Sequence, residues 1–239
     1  MSEQIVEQQT SERKLYPYQE AAVMGITKKL AEMPKSSNLL FQLPTGGGKT
    51  IIFSEIAKRY IQQYGKKVLI LTHRVELSQQ TSAVLNSIQI PNKVINSSIK
   101  ILDKNEPYLV YTALIETLNN RLHDEDNLEF LQDIGLVIVD EAHNNSFRKV
   151  FKHFNDVNIL GVTATPLSSN KKLPLMDTYD SLIVGESIPS LIENGFLCDG
   201  VTFSYDVNLS SLKIGYTGEF TTASLEVLYS NAIDRKSVV

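Results

Sequence analysis

The chain has 239 residues, of which 42% are hydrophobic and 21% are charged, and its formal net charge is −4. This composition predicts a soluble globular protein with room for a substantial core, and it excludes nucleic-acid binding through an overall positive charge. No apolar run approaches the roughly 18 to 20 residues that cross a bilayer, and the polar N-terminus lacks the apolar stretch of a signal peptide. We therefore expect a cytoplasmic protein without membrane contact.

The first predicted element is a helix that follows a polar arm. Residues 1–14 are polar and lack periodicity, which indicates a loose arm. From Tyr16 to Met33 apolar residues recur at helical spacing, and Pro34 marks the end of this helix.

Five short apolar runs follow, and amphipathic segments separate them. The runs occupy residues 38–44, 66–73, 107–113, 134–141 and 158–165. Runs of this kind are typical of strands that helices bury on both faces of a parallel sheet. The segments 49–65 and 75–90 are amphipathic, and Gly65 is well placed to cap the first at its C-terminus. The alternation predicts an α/β fold with a mostly parallel sheet and helices on both faces.

The end of the chain has a different pattern. Residues 187–200 predict a short helix that stops at Gly195, whereas residues 201–239 combine an apolar alternation with a Ser/Thr/Gly-rich stretch. We therefore predict one domain at residues 15–200 and a separate segment after it. The single Cys198 excludes an internal disulfide, and we expect it to be a small buried hydrophobic residue.

The stretch FQLPTGGGKT, residues 41–50, lies between a predicted strand and a predicted helix. Consecutive glycines let backbone N–H groups converge on an anion, and a helix N-terminus favours negative charge. In such a loop Lys49 reaches the β- and γ-phosphates of a nucleotide, and the hydroxyl of Thr50 binds Mg²⁺. The general pattern G-x-x-x-x-G-K-[ST] has glycine where this chain has Leu43.

Two adjacent acids end the apolar run LVIVDEAHN, residues 136–144. Asp140 and Glu141 fall at the C-terminal end of a strand, which is where open α/β sheets bind their ligands. Two carboxylates on a buried strand end need a cation nearby. We expect Asp140 to hold Mg²⁺ through water and Glu141 to act as a general base toward an attacking water.

These motifs together resemble those of superfamily 2 helicases and translocases. PTGGGKT, DEAH and TATP resemble motifs I, II and III of that superfamily, and three further stretches are similar to its other motifs in the same order: YPYQ (16–19), THRVEL (72–77) and VYTALIETL (110–118). The resemblance covers about residues 15–200 and is closest to type I and type III restriction motor subunits and to bacterial and phage repair helicases. It implies the N-terminal RecA-like lobe of a P-loop NTPase, with ATP and Mg²⁺ as cofactors and nucleic acid, DNA rather than RNA, as the partner.

The resemblance also implies roles for individual residues. The nucleotide would be bound by Gln19, Pro44, Thr45, Gly46, Gly47, Gly48, Lys49 and Thr50. Gln19 would read the adenine edge beside Tyr16 or Tyr18, although many relatives have arginine where this chain has Tyr16.

Two further groups of residues would connect the nucleotide to nucleic acid. His143, which follows the two acids, would couple the ATP site to Thr163 and Thr165. The residues that would hold one nucleic-acid strand by its phosphates are Thr72, His73, Arg74 and, further along the groove, Thr112.

Motors of this superfamily hydrolyse ATP between two RecA-like lobes. The second lobe supplies arginine fingers, each worth about 10³ to 10⁵ in rate. No stretch similar to Q-x-x-G-R-x-x-R occurs in this sequence, and Arg235 is the only arginine after Arg148. We expect residues 201–239 to connect to a missing second lobe, and this chain alone to bind ATP with Mg²⁺ but to hydrolyse it weakly.

The motifs are compatible with three functions. The first is a DNA helicase, and the second is the motor of a restriction or repair complex that translocates on duplex DNA without separating the strands. The third is an interaction module that binds ATP, changes shape and recruits a partner without productive turnover. A small-molecule P-loop kinase fits less well because the DEAH and TATP stretches have no use there. The sequence leaves the oligomeric state open.

Overall fold

A computed structural model describes residues 14–123, 125–168, 170, 172–200, 210, 212–215 and 220–230. The chain divides into two compact units, Met1–Leu197 and Cys198–Val239. The predicted N-terminal arm lies outside the described residues except for its last residue, and the predicted alternation VTFSYDVNL lies wholly outside them.

The described part of the first unit contains a seven-stranded sheet. In chain order its strands are β1 (Asn38–Gln42), β2 (Lys67–Thr72), β3 (Asn92–Ile95), β4 (Val110–Leu114), β5 (Ile134–Asp140), β6 (Asn158–Thr163) and β7 (Ser181–Val184). All of them pair in parallel, in the spatial order β3-β4-β2-β5-β6-β1-β7. The predicted fold class, a mostly parallel α/β sheet, is confirmed.

The α-helices of this unit precede, connect or follow the strands. They are α1 (Pro17–Glu32), α2 (Lys49–Tyr64), α3 (Val75–Ser87), α4 (Ile115–Arg121), α5 (Glu125–Gln132), α6 (Arg148–Phe151) and α7 (Ile188–Glu193). Gly65 caps α2 in a left-handed conformation, and its N–H donates to Ile61 O at 2.9 Å, so the predicted C-terminal cap is confirmed. No helix among the described residues is long and apolar enough to cross a membrane.

Alternate residues of the central strands form two hydrophobic cores, one on each face of the sheet. In β2, Leu69 and Leu71 belong to one core, which also includes residues of α4 and α5. Val68 and Ile70 belong to the other core, against residues of α1, α2 and α3. All four side chains are fully buried, which explains why the sequence of this strand is apolar at every one of these positions.

The second unit contributes one described helix, α8 (Thr222–Ser230). Its start is fixed by hydrogen bonds of Thr221, whose N–H donates to Lys213 O at 2.9 Å. Cys198, at the beginning of this unit, is exposed, so the expectation of a buried hydrophobic residue is wrong.

Candidate active site

Three neighbouring strands bring the sequence motifs to one edge of the sheet. β6 pairs with β5 on one side and with β1 on the other, and Thr163 of β6 lies opposite Gln42 of β1. Asp140 of β5 lies opposite Val162 of β6. The glycine loop, the acids and the TATP stretch therefore leave the sheet side by side at the carboxyl ends of parallel strands, where such folds bind ligands.

The glycine loop ends in the N-terminus of α2. Gly46 and Gly48 have φ angles of 84° and 83°, which is the left-handed region that glycine adopts most easily. Lys49 is the first residue of the 16-residue helix and is buried, whereas Thr50 is half-buried. The helix start therefore presents its unpaired N–H groups and positive dipole beside the lysine, an arrangement that favours an anion.

Leu43 stands where the general loop pattern has glycine, and it packs beneath the loop. Its side chain is fully buried, and its Cγ lies 2.8 Å from the position that a Cβ of residue 47 would occupy. The loop thus folds over Leu43, and only glycine fits at position 47. The Leu43 N–H also donates to Thr163 O at 3.0 Å, which ties the loop to the end of β6. Leu43 is therefore an anchor beneath the loop.

The beginning of α1 packs against the same loop. Tyr18 Oη donates to Gly47 O at 2.9 Å, and Gln19 Nε2 lies 2.4 Å from the position of a Cβ on residue 48. Gln19 is buried, and its Oε1 accepts a hydrogen bond from the Tyr16 N–H at 3.0 Å. The structure places Gln19 beside the loop; its recognition of adenine stays a prediction. Of the other predicted nucleotide-binding residues, Pro44 is buried and Thr45 is exposed.

Asp140 is a buried carboxylate that lacks full charge compensation. Its side chain is 4% exposed, and its Oδ1 accepts a hydrogen bond from the Glu141 N–H at 3.0 Å. Burial raises the pKa of Asp140 to about 6, and the charge of Glu141 acts in the same direction, whereas the hydrogen bond from the Glu141 N–H and the charge of Lys49 oppose the rise. A divalent cation would stabilise the ionised form, so the donor set fits Mg²⁺.

His143 connects the acids to the end of β6. Its Nδ1 lies 3.0 Å from Thr163 Oγ1 and 3.3 Å from Glu141 Oε2. Thr163 Oγ1 donates to Thr165 O at 3.0 Å and accepts from the Thr165 N–H at 3.1 Å. With the Thr163 hydroxyl donating to Thr165 O, the tautomer of His143 that carries a proton on Nδ1 satisfies the contact with Thr163 Oγ1. The residues predicted to couple the ATP site to TATP thus form one hydrogen-bonded chain.

The residues predicted to hold nucleic acid separate into exposed and buried ones. Arg74 is exposed and His73 is half-buried. Thr72 and Thr112 are fully buried: Thr72 Oγ1 donates to Arg74 O at 3.3 Å, and Thr112 Oγ1 accepts from Ser78 Oγ at 3.4 Å. Both hydroxyls therefore form hydrogen bonds within the protein, and the contact of these two residues with phosphate stays a prediction. Only His73 and Arg74 of the four have side chains at the surface.

Two residues beside the loop have no counterpart in the sequence prediction. Leu197 Cδ2 lies 2.8 Å from the position of a Cβ on Gly46, and the ring of Phe196 packs between those of Tyr16 and Tyr18. The only signal in the sequence is the turn glycine Gly195 after a short helix, and this signal does not indicate which distant element the following residues contact.

Comparison with known proteins agrees with this arrangement. Residues 12–168 match the family described as type III restriction enzyme, res subunit. IRC3 of Saccharomyces cerevisiae, by its name a candidate ATP-dependent helicase, is 30% identical over 217 residues, which are 83% of this chain and 30% of IRC3. MPH1 of Scheffersomyces stipitis, named an ATP-dependent DNA helicase, is 27% identical over 144 residues, which are 55% of this chain and 14% of MPH1.

A solved structure shows the same fold. The crystal structure of the UvsW helicase from bacteriophage T4 matches with a TM-score of 0.57 and 17% identity, over 72% of this chain and 60% of that chain. The chain spans less than a third of the length of either of the two relatives above. Because the family match extends over residues 12–168 of 239, the chain belongs to the family described as type III restriction enzyme, res subunit, and its parallel sheet has the RecA-like fold that the UvsW helicase shares.

Proposed function

We propose that this chain is the ATP-binding lobe of a motor that couples ATP hydrolysis to movement along DNA or to its unwinding. The observation that carries the proposal is the meeting of Lys49, Asp140 and Thr163 at three neighbouring strand ends. Lys49 and Asp140 are residues that P-loop nucleoside triphosphatases use in general, whereas the connection to Thr163 has a use in a motor. His143 Nδ1, which lies 3.3 Å from Glu141 Oε2 and 3.0 Å from Thr163 Oγ1, links the acids to the end of β6 and supports the proposal of a motor.

Each residue of the site has a role in this proposal. Lys49 and the amides of Gly46, Gly47 and Gly48 bind the phosphates, and Thr50 and Asp140 hold Mg²⁺, Asp140 through water. When bound, Mg²⁺ neutralises charge on the phosphate oxygens. Glu141 accepts the proton of the water that attacks the γ-phosphorus, and the bond electrons leave with ADP.

The nucleic-acid partner in this proposal is DNA. The name of MPH1 supports DNA over RNA, and His73 and Arg74 at the end of β2 are the surface side chains that would contact phosphate. The bond from His143 to Thr163 supports communication between the ATP site and the end of the neighbouring strand. A second RecA-like lobe, supplied by a longer protein or by a partner, would complete the ATP site.

A duplex translocase without strand separation is the second candidate. The family description, type III restriction enzyme res subunit, favours it over an interaction module because it names a subunit of a restriction enzyme, which acts on DNA. The site described above is the same for both functions, and strand displacement by the complete motor separates them.

The test is a nucleic-acid binding measurement with and without nucleotide. Labelled single-stranded DNA, duplex DNA and RNA of one sequence are titrated at two salt concentrations, in the presence and absence of Mg²⁺ and a non-hydrolysable ATP analogue. We expect DNA to bind more tightly than RNA and the nucleotide to change the affinity for DNA. We also expect Arg74→Ala to reduce the salt slope, the slope of the logarithm of the binding constant against the logarithm of the salt concentration, by about 1 in magnitude. Equal affinities for DNA and RNA that do not respond to nucleotide would contradict the proposal.

Lys28→Ala is the matched control for Arg74→Ala. Lys28 is also an exposed cation, with a side chain that is 77% exposed. Lys28 lies near the C-terminal end of α1. At that end Leu30 O accepts a hydrogen bond from Asn158, the first residue of β6, so Lys28 lies toward the amino ends of the strands, away from the site. We expect its removal to leave the salt slope unchanged.

A further inference from the structure

The segment that follows α7 is held in a fixed conformation. Gly195 has a φ angle of 73°, and its N–H donates to Ile192 O at 2.9 Å. The N–H groups of Phe196 and Leu197 both donate to the carbonyl oxygen of Leu191, at 2.8 and 3.0 Å. Leu191 itself is buried. The turn therefore directs two consecutive apolar side chains from a rigid base.

These two side chains reach the two elements that surround the glycine loop. The ring of Phe196 lies 4.8 Å from that of Tyr16 and 4.9 Å from that of Tyr18, centroid to centroid, with tilts of 48° and 55°. Tyr18 in turn is bonded to Gly47 O of the loop. Leu197 Cδ2 would be 2.8 Å from a Cβ on Gly46, so it touches the loop directly.

The result is an aromatic surface directly beside a phosphate-binding loop. Tyr16 is 53% exposed and Phe196 is half-buried, so part of the aromatic surface is open to a ligand. Gln19, the residue expected to read the base, lies between Tyr16 and the loop, and planar rings gain free energy by packing against aromatic side chains.

We propose that Phe196 joins Tyr16, which the sequence already places beside the base, in an aromatic wall that packs against the nucleotide base, and that Leu197 supports the phosphate loop; this assignment rests on the proposed ATP-binding function. The wall contacts the base through apolar packing, which is insensitive to the pattern of hydrogen-bonding groups. Phe196 therefore contributes to affinity for purine triphosphates in general. Discrimination between adenine and guanine belongs to polar groups such as Gln19.

The experiment compares ligands that have a base with one that has none. ATP, GTP and inorganic tripolyphosphate are titrated calorimetrically with Mg²⁺ into the chain and its variants. We expect Phe196→Ala to weaken ATP and GTP about 5- to 10-fold, as loss of one aromatic contact of about 1 kcal/mol implies, and to leave tripolyphosphate unchanged. Leu197→Ala is expected to weaken all three ligands alike because it acts on the loop.

Two further variants guard against an effect on folding. Phe196→Tyr retains the ring and is expected to keep the affinity of the wild type for ATP. Phe151→Ala removes a half-buried phenylalanine from the core on the opposite face of the sheet and is expected to change no nucleotide affinity. Thermal melting of each variant verifies that it is folded.

The outcomes distinguish this inference from the proposed function. If Phe196→Ala weakens tripolyphosphate as much as ATP, or weakens neither, the base wall is wrong while ATP binding stands. If the wild type binds neither ATP nor tripolyphosphate, the proposed function fails and the base wall fails with it.

Discussion

Asp140 shows at the scale of one residue how the site is prepared for a cation. Its carboxyl is almost completely buried at the end of β5, and burial raises its pKa from 3.8 to about 6. A raised pKa means that the native protein binds the proton more tightly than the unfolded chain does. The resulting stabilisation is complete below pH 3.8 and is lost as the pH rises through about 6. At neutral pH the ionised carboxylate therefore destabilises the metal-free protein.

We predict that Asp140→Asn is more stable than the wild type when Mg²⁺ and nucleotide are absent. The raised pKa corresponds to a difference of at most about 3 kcal/mol in the free energy of unfolding between the variant and the wild type at pH 8. This difference should shrink toward zero near pH 4. Urea denaturation in EDTA at several pH values measures it. Glu32→Gln, which alters a carboxylate with a side chain that is 60% exposed, should follow the wild type. A variant that is less stable than the wild type at pH 8 would contradict this explanation.

The strand β6 illustrates a constraint at the scale of an element. Gly161 lies in the middle of this strand, and a Cβ at that position would lie 2.5 Å from Cε1, Cζ and Oη of the buried Tyr179 side chain. The ring has no room to withdraw because it packs in the core on that face of the sheet. The close approach of the ring to the backbone therefore requires glycine.

We predict that Gly161→Ala lowers the free energy of unfolding by about 1 to 3 kcal/mol, because it overpacks the core. Replacing the ring in the double variant Gly161→Ala/Tyr179→Leu should recover part of this loss, so the two changes should be non-additive in urea denaturation. Gly25→Ala is the control: Gly25 lies within α1 with no atom within 4 Å of a Cβ, and alanine there should stabilise by about 0.5 to 1 kcal/mol. Additive losses at positions 161 and 179 would refute the explanation.

The elements also show how far the sequence determines the fold. The five strands at the centre of the sheet were predictable because burial on both faces requires continuous apolar runs, as in β2. The edge strands β3 and β7 were not predicted: each has four residues and only partial burial, so its sequence carries a weak pattern. The glycine loop and the acids were predictable because their chemistry is local. Phe196 was not, because its contacts with Tyr16 and Tyr18 join residues that are distant in sequence.

At the scale of the whole molecule, residues from the beginning, middle and later part of the chain lie together at the carboxyl ends of the strands. Gln19 and Lys49 lie early, Asp140 and Thr163 lie later, and parallel pairing brings β1, β5 and β6 together. We therefore expect the carboxyl ends of these strands to bind ATP together with Mg²⁺. This expectation can be tested on this chain because all of these residues lie in its first unit.

The most direct test is calorimetric titration of ATP and Mg²⁺ into the chain, the Lys49→Ala variant and a control. Lys58→Ala changes a half-buried lysine on the same helix and should bind ATP as the wild type does. We predict that the wild type binds ATP, that EDTA weakens the binding, and that Lys49→Ala weakens it at least about 10-fold, or about 1.4 kcal/mol. Equal ATP affinity in Lys49→Ala and the wild type, or no binding by the wild type, would contradict the account.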